Sequence, residues 1–257
     1  MKHGDFTGLA SDYSHYRPDY APAILRATLG LVRKSVSEID AVDVGAGTGI
    51  WTRMVGDSGV KSVTAIEPND DMRGQGKNHP GNKNIAWNCG SGEATGLPSG
   101  SADLLSMASS FHWVDFDKGI AEFDRVLRPN GCFVALWNPR LIEENPLLVE
   151  IEAHLATLKG GEIKRVSSGR SEFTETLSER LEACDRFSEV VYLESKHIIP
   201  FTNERYMGAW RSVNDLRVQL GAENFSQFLK WVERRIEGIS AIDATYLTRA
   251  WVACKPG

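Results

Sequence analysis

The sequence predicts an α/β fold in which a mostly parallel sheet is covered by helices on both faces. Three observations carry that prediction. Short apolar strand runs alternate with helix-period runs from residue 20 to residue 137. Three glycines at alternate positions, Gly45, Gly47 and Gly49, join the first strand to the helix after it. A helix over 116–128, stopped by Pro129, is followed at once by another strand.

A leading helix is expected over 20–35, where Ile24, Leu25, Leu29 and Val32 share a face and Pro22 stands in the first turn. Strands are expected at 40–45 and 61–67 with a helix between them, and Asn69 is placed to cap the next helix. Ile85–Cys89 and Ala102–Ala108 read as the third and fourth strands, flanking a loop at 90–100. In the helix over 116–128, Ile120, Phe123 and Leu127 line one side, and Asp115 and Asp117 suit its N-terminus. Cys132–Trp137 makes a fifth strand.

From Asn138 the alternation breaks. Leu148, Ile151, Leu155 and Leu158 mark a helix ending at Gly160, and the polar stretch 162–172 reads as a mobile loop. A helix at 174–184, a long strand at Val190–Ile199, helices at 203–219 and 223–237, and a strand at Ala244–Cys254 complete the chain. No internal repeat or linker divides it, so 257 residues are expected to form one domain.

The strand–glycine–helix unit Val42–Gly49 brings bare backbone against a ligand, because each absent Cβ leaves room and permits unusual φ/ψ. A dinucleotide fingerprint requires Gly-x-Gly-x-x-Gly/Ala. Here the third glycine comes one position early and Ile50 holds the place of the last small residue. Glu67, ending the next strand, is a carboxylate able to accept both hydroxyls of a ribose, a feature common to dinucleotide and adenosine-methionine sites. The glycine spacing favours S-adenosylmethionine.

Composition removes several classes. The net charge is −5, and Lys and Arg are scattered rather than gathered on the basic face that a phosphate backbone requires, so no nucleic-acid partner is expected. Cys89, Cys132, Cys184 and Cys254 are isolated, with no C-x-x-C and no zinc spacing, so no metal is expected. Three of them, Cys89, Cys132 and Cys254, lie in strand-like runs and read as buried, reduced thiols. The N-terminus has no apolar leader and no segment reaches membrane length, so the expectation is a cytoplasmic protein without a membrane partner.

Val42–Gly49, Glu67-Pro68-Asn69, the stretch 90–98 (Gly-Ser-Gly-Glu-Ala-Thr-Gly-Leu-Pro) and Ser109-Ser110-Phe111-His112-Trp113 occur in that order. Together with the 13–20 stretch (Tyr-Ser-His-Tyr-Arg-Pro-Asp-Tyr) and Leu127–Gly131, they resemble the class I S-adenosylmethionine-dependent methyltransferases. The closer likeness is to the small-molecule branch containing trans-aconitate-methyltransferase-like proteins. It is good over 5–140, poor over 141–200 and only in outline beyond. The resemblance implies a Rossmann-like, seven-stranded, mostly parallel sheet whose last strand is antiparallel. It also implies a helical cap from 141–185 and 203–237, and an N-terminal lid from 1–20.

It further implies site residues. Gly45, Ala46 and Gly47 would pass under the methionine portion, and Glu67 with Pro68 would hold the ribose. Met72, Ser91, Gly92 and Glu93 would meet the adenine, with Gly92 standing where the family more often has Ala. Ser109 and Phe111 would complete the cofactor wall, and Tyr16 and Arg17 would close over it. Arg17 offers a planar fork for a carboxylate.

The acceptor would touch Tyr13, His112, Trp113, Trp137, Arg140 and Trp210. His112 would be a general base for a hydroxyl or amine, an orienting contact, or a packing residue, and those readings stay open. Trp-rich walls suit an apolar acceptor, and Arg140 suits a carboxylated one. The expected activity is in-line methyl transfer to an N, O or carboxylate of a small molecule inside a capped pocket. Two alternatives remain: a non-catalytic S-adenosylmethionine-binding regulatory partner, and an NAD(P)-dependent oxidoreductase. The oligomeric state is not read from the sequence.

Overall fold

The computed structural model describes residues 8, 10–82, 84–161, 163, 169 and 171–257, with backbone alone at 214 and 215. Most of the predicted loop at 162–172 lies outside the described residues. The elements in chain order are α1 (Ala10–Tyr16), α2 (Pro22–Leu31), β1 (Asp40–Val44), α3 (Ile50–Asp57), β2 (Ser62–Ile66), α4 (Asp70–Asn78), β3 (Ile85–Asn88) and β4 (Ala102–Ala108). They continue with α5 (Phe116–Val126), β5 (Leu127–Trp137), α6 (Pro146–Lys159), α7 (Glu172–Glu175), α8 (Leu177–Glu182), β6 (Glu189–Phe201), α9 (Asn203–Arg211), α10 (Asn214–Arg235) and β7 (Ile242–Cys254).

All seven strands form one sheet in the order β3-β2-β1-β4-β5-β7-β6. The first five are parallel, and β7 lies antiparallel between β5 and β6. The central strands β1 and β4 are buried almost throughout, as expected where helices cover both faces of a parallel sheet. One face packs against α5 and α8, with Phe111, Phe123, Phe133 and Trp251 at its centre. The other packs against α2 and α3 through Ile24, Leu29, Trp51 and Val55. Each such side chain contributes roughly 1.5–3 kcal/mol of burial.

β6 and β7 are longer than the rest. β5 pairs with β7 only up to Trp137↔Arg249, whereas β6 stays paired with β7 to Phe201↔Ile242. The outer half of this ribbon therefore runs past the carboxyl end of β5. There α6, α9 and α10 gather around Phe201, Ile242 and Tyr246 in a third apolar cluster.

Several expectations are corrected. The helix at 203–219 breaks at Ser212-Val213, and its last part runs into the next helix as α10, whose kink at Gly221 (φ 75°, ψ 167°) keeps the expected division between 219 and 223. The helix at 174–184 is two short ones divided at Thr176 (φ −98°, ψ 0°). Within the cap segment expected at 141–185, α6 joins the cap cluster together with Ile142 and Ile163, whereas Leu177 and Leu181 of α8 face the sheet. β5 starts at Leu127 rather than Cys132, with its register shifting between the pairs at Ala102 and Leu104.

The thiol reading is also overturned. The register of β5 on β7 sets Cys132 opposite Cys254, and the two form a disulfide. A pair separated by 122 residues leaves no sequence spacing to recognise. Cys89 is exposed and Cys184 half-buried. Among the described residues no helix is long and apolar enough to cross a membrane.

Candidate functional site

A cavity of about 260 Å³ opens at the carboxyl ends of β1, β2 and β4 and beneath α1. Open α/β sheets bind ligands at this edge, where successive strand-to-helix turns diverge. Its floor is the glycine turn. Gly45 and Ala46 both donate their N–H to the carbonyl of Ile66 (2.8 and 3.1 Å), pinning the turn to the end of β2. Gly45 has φ 66°, and a Cβ there would lie 2.7 Å from both Cβ and Oγ of Ser110, so only glycine fits.

Glu67 faces this turn from the end of β2. It is 7% exposed. Its Oε2 accepts the N–H of Gly47 at 2.8 Å and its Oε1 accepts the N–H of Asn69 at 2.9 Å. Burial raises the pKa of this carboxyl, while those two backbone donors and Arg73 act in the opposite sense. Each oxygen keeps a further lone pair for a ligand hydroxyl. Asn69 caps α4 as expected, accepting the N–H of Met72 at 3.0 Å, which brings the buried Met72 to the cavity wall.

Beneath the turn, Asp43 is wholly buried on β1 and accepts the hydroxyls of Thr52 (2.6 Å) and Ser106 (2.9 Å). Desolvation, with Glu67 adding to it, pushes its carboxyl up to about 7 against those hydrogen bonds. It ties β1 to α3 and to β4 on either side of the turn.

Ser91, Gly92 and Glu93 line the cavity from the loop after β3. A Cβ on Gly92 would come within 2.4 Å of Val114, so Val114 fills the space an alanine would take. Glu122 of α5 fixes this loop, accepting both the N–H and the hydroxyl of Thr95 (2.9 and 2.6 Å).

Ser109 closes the wall after β4 in the left-handed region (φ 55°), which is rare for a non-glycine residue. It is held by its N–H to the carbonyl of Leu136 (2.7 Å) and by a hydrogen bond between its Oγ and the Tyr20 hydroxyl (2.9 Å). Burial keeps the Tyr20 phenol protonated far above its ordinary range.

Of the residues expected to meet cofactor, Gly45, Ala46, Gly47, Glu67, Pro68, Met72, Ser91, Gly92, Glu93 and Ser109 line the cavity. Phe111 does not: its ring is fully buried among Phe116, Phe123, Phe133 and Phe173. Tyr16 and Arg17 also stand off the wall. Tyr16 packs where a side chain on Gly208 would be, and Arg17 donates to Oγ (2.8 Å) and O (3.4 Å) of Ser212 while lying over the Tyr13 ring. They tie α1 to α9.

Among the acceptor candidates, Tyr13 and Trp113 line the cavity. Trp137 is buried in the sheet core, and Trp210 in the cap. Arg140 pairs with Glu152 at 3.0 Å and lies 5.0 Å from the Trp210 ring, so its charge is spent inside the cap.

His112 is set behind the wall. Its Nδ1 accepts the indole N–H of Trp137 at 3.2 Å. Indole only donates, so the lone pair of the neutral ring lies on Nδ1 and the ring proton on Nε2. A base with its lone pair so engaged does not face a substrate. The cavity wall also holds Tyr20, Trp51, Asn69 and Ser110, which carry no site assignment from the sequence. Tyr20 stood at the end of the 13–20 motif, whereas nothing in sequence separates Trp51 from an ordinary core residue.

Residues 42–135, which hold most of this wall, match the family model described as a methyltransferase domain. Over nearly its whole length the chain is similar to an uncharacterised methyltransferase of Schizosaccharomyces pombe, at 27% identity covering 94% of this chain and 93% of the relative. An uncharacterised methyltransferase of Mycobacterium tuberculosis is 30% identical across 52% of each chain. A solved structure from Anaeromyxobacter dehalogenans, assigned as a type II methyltransferase, superposes with a TM-score of 0.69 at 21% identity, covering 94% of this chain and all of that one. A second, from an antibiotic biosynthesis pathway of Anabaena variabilis, gives 0.57 at 19% identity over 91% of this chain and 98% of that one. Those two likenesses are of fold.

Proposed function

We propose that this S-adenosylmethionine-dependent methyltransferase carries the methyl group to a neutral nitrogen or oxygen of a small molecule, with the cofactor lying along the glycine turn. The observation that carries the reading is Glu67: a buried carboxylate on the cavity wall, 2.8 Å from the N–H of Gly47, with acceptor capacity left on both oxygens. That arrangement suits a ribose diol. The wall formed by Met72, Ser91, Gly92 and Glu93 suits an adenine, with an apolar face and polar edge groups.

Bound there, S-adenosylmethionine supplies a methyl group on a sulfonium, open to in-line displacement. The chain's own residues supply position and dryness. Gly45–Gly47 approach without side chains, and Tyr13, Tyr20, Trp51 and Trp113 present rings to a cavity that carries Glu67 and Glu93 but no Lys, Arg or His among its described lining. Aromatic faces and carboxylates favour a cation. A dinucleotide pyrophosphate would find no basic side chain here.

The same lining bears on the acceptor. An anionic one would meet no counter-charge, whereas a hydroxyl or neutral amine can hydrogen-bond to Ser109 and Tyr20. Tyr20 stays protonated and therefore orients rather than deprotonates. α1 serves as a lid, since it lays Tyr13 over the cavity and is held to α9 by Arg17 and Ser212.

Calorimetric titration with S-adenosylmethionine, S-adenosylhomocysteine and NAD tests this reading. Micromolar binding of both sulfur ligands with none of NAD is expected. Binding of NAD alone would overturn it. If the sulfur ligands bind but no hydroxyl or amine acceptor in a screen takes labelled methyl, the acceptor assignment fails while the cofactor assignment stands.

A further inference from the structure

β6 is the last strand of the sheet, so its outer edge has no neighbour among the described residues. Its paired partners fix which backbone groups point outward. The N–H of Lys255 bonds the carbonyl of Gly131, and that of Leu247 bonds Pro139, so odd-numbered residues of β7 point towards β5. Even-numbered ones therefore point towards β6, where they stand opposite odd-numbered residues from Cys254↔Glu189 to Ile242↔Phe201. The N–H and C=O groups of Tyr192, Glu194, Lys196 and Ile198 are thus directed away from the sheet. Pro200 falls in the same set, and its missing N–H ends the run of donors there.

The side chains of those four residues form one exposed stripe. Tyr192 (40% exposed) and Ile198 (64%) are large apolar side chains left facing solvent. Between them stand one carboxylate and one ammonium. Glu194 accepts the Tyr192 hydroxyl at 2.8 Å, and Lys196 reaches Glu144 while its side chain stays 61% exposed.

We propose that β6 pairs antiparallel with β6 of a second copy of this chain, about a two-fold axis at Ser195. Outward-pointing residues must pair with one another, so only registers that match even with even are open. With the axis at Ser195, Glu194 stands opposite the partner's Lys196, and Tyr192 opposite the partner's Ile198, each twice by symmetry. Moving the axis one residue sets Glu194 against itself or Lys196 against itself, which opposes association. The edge is therefore complementary to itself in one register. Isolated charges and a proline keep many edges unpaired; here the charges are of opposite sign and spaced two residues apart across the axis. The pairing would join two sheets into one. It would also brace the ribbon that carries the cap, and it does not depend on the assigned chemistry.

Sedimentation velocity over a concentration series tests it on the full chain. The wild type is expected to dimerise, and Lys196→Glu to shift the association at least tenfold towards monomer. The exchange Glu194→Lys/Lys196→Glu, which restores opposite charges in the same register, is expected to recover the dimer, with melting temperatures confirming that all three are folded. In parallel, Ser195→Cys should cross-link to itself under an added oxidant, since the axis places the two copies in direct opposition. Glu189→Cys, whose copies would lie about 40 Å apart, should not. A wild type that stays monomeric, or a dimer indifferent to Lys196→Glu, would overturn the proposal, as would a Ser195→Cys chain that forms no more cross-link than Glu189→Cys.

Discussion

The cavity half of the molecule and the cap half handle their polar and aromatic groups in opposite ways. Around the glycine turn, Glu67 keeps acceptor capacity while facing open space, Ser109 holds a left-handed backbone, and Gly45 has Ser110 packed where a side chain would stand. In the cap, Arg140 is paired with Glu152 and stacked over Trp210, while Tyr206 and Phe228 are buried against their neighbours. The first arrangement is strained and incompletely satisfied, as a binding surface must be. The second is turned inward, its arginine and rings packed against one another. The arginine and tryptophans of the cap therefore do not read as an acceptor site, and the acceptor contacts proposed above fall on the rim shared by Tyr13, Tyr20, Ser109 and Trp113.

The largest effect should come from filling the turn. Gly45→Ala places a Cβ against Ser110 in a left-handed backbone, costing about 2–5 kcal/mol. Its titration with S-adenosylmethionine should show no detectable binding. A variant that binds normally would break the contrast between the halves.

Asp43 sharpens it through pH. Burial raises its carboxyl from 3.8 to about 7, so between those values the folded chain keeps a proton that the unfolded chain has released. Stability present below pH 4 is therefore lost as pH rises towards 7. Asp43→Asn cannot ionise and should lack that slope, a difference of at most about 4 kcal/mol. Denaturant unfolding at pH 4.5 and pH 8 would reveal it.

Glu67→Ala should weaken cofactor binding by about 1–3 kcal/mol, read by calorimetry. Unchanged affinity would remove the ribose contact. Arg17→Ala cuts a link between the halves, and an increase in Kd corresponding to about 1 kcal/mol is expected, with the melting temperature of the cofactor-free protein nearly unchanged. A fall in melting temperature without loss of affinity would make α1 a structural strap. The smallest effect is assigned to His112→Gln, which should retain most of kcat at neutral pH because Nδ1 is engaged by Trp137. A loss of two orders of magnitude would restore the base.

The two halves also differ in how far the sequence disclosed them. Strands β1 to β4, the Asn69 cap and ten residues of the cavity wall are legible in the sequence. Backbone approach to a ligand demands glycine at fixed spacing, and a buried strand demands an apolar run. The cap offered only periodicity. That predicts which face of α6 is buried but not what it meets, and it could not foresee the break at Ser212 or the turn of α8 towards the sheet. Arg140, Trp137, Trp210 and Phe111 stand off the cavity wall, and the sequence does not reveal it, because an arginine or aromatic near a strand end reads the same whether it faces a ligand or a neighbour. The Cys132–Cys254 bond rests on strand order, which local spacing does not encode.

A crystal structure of the complex with S-adenosylhomocysteine tests the central claim most directly. Both ribose hydroxyls are expected within hydrogen-bond distance of Glu67, the adenine against Met72 and the loop at 91–93, and the sulfur directed towards Tyr20 and Ser109. A ligand whose ribose is bound by other residues, or one lying outside the cavity beneath α1, would contradict it.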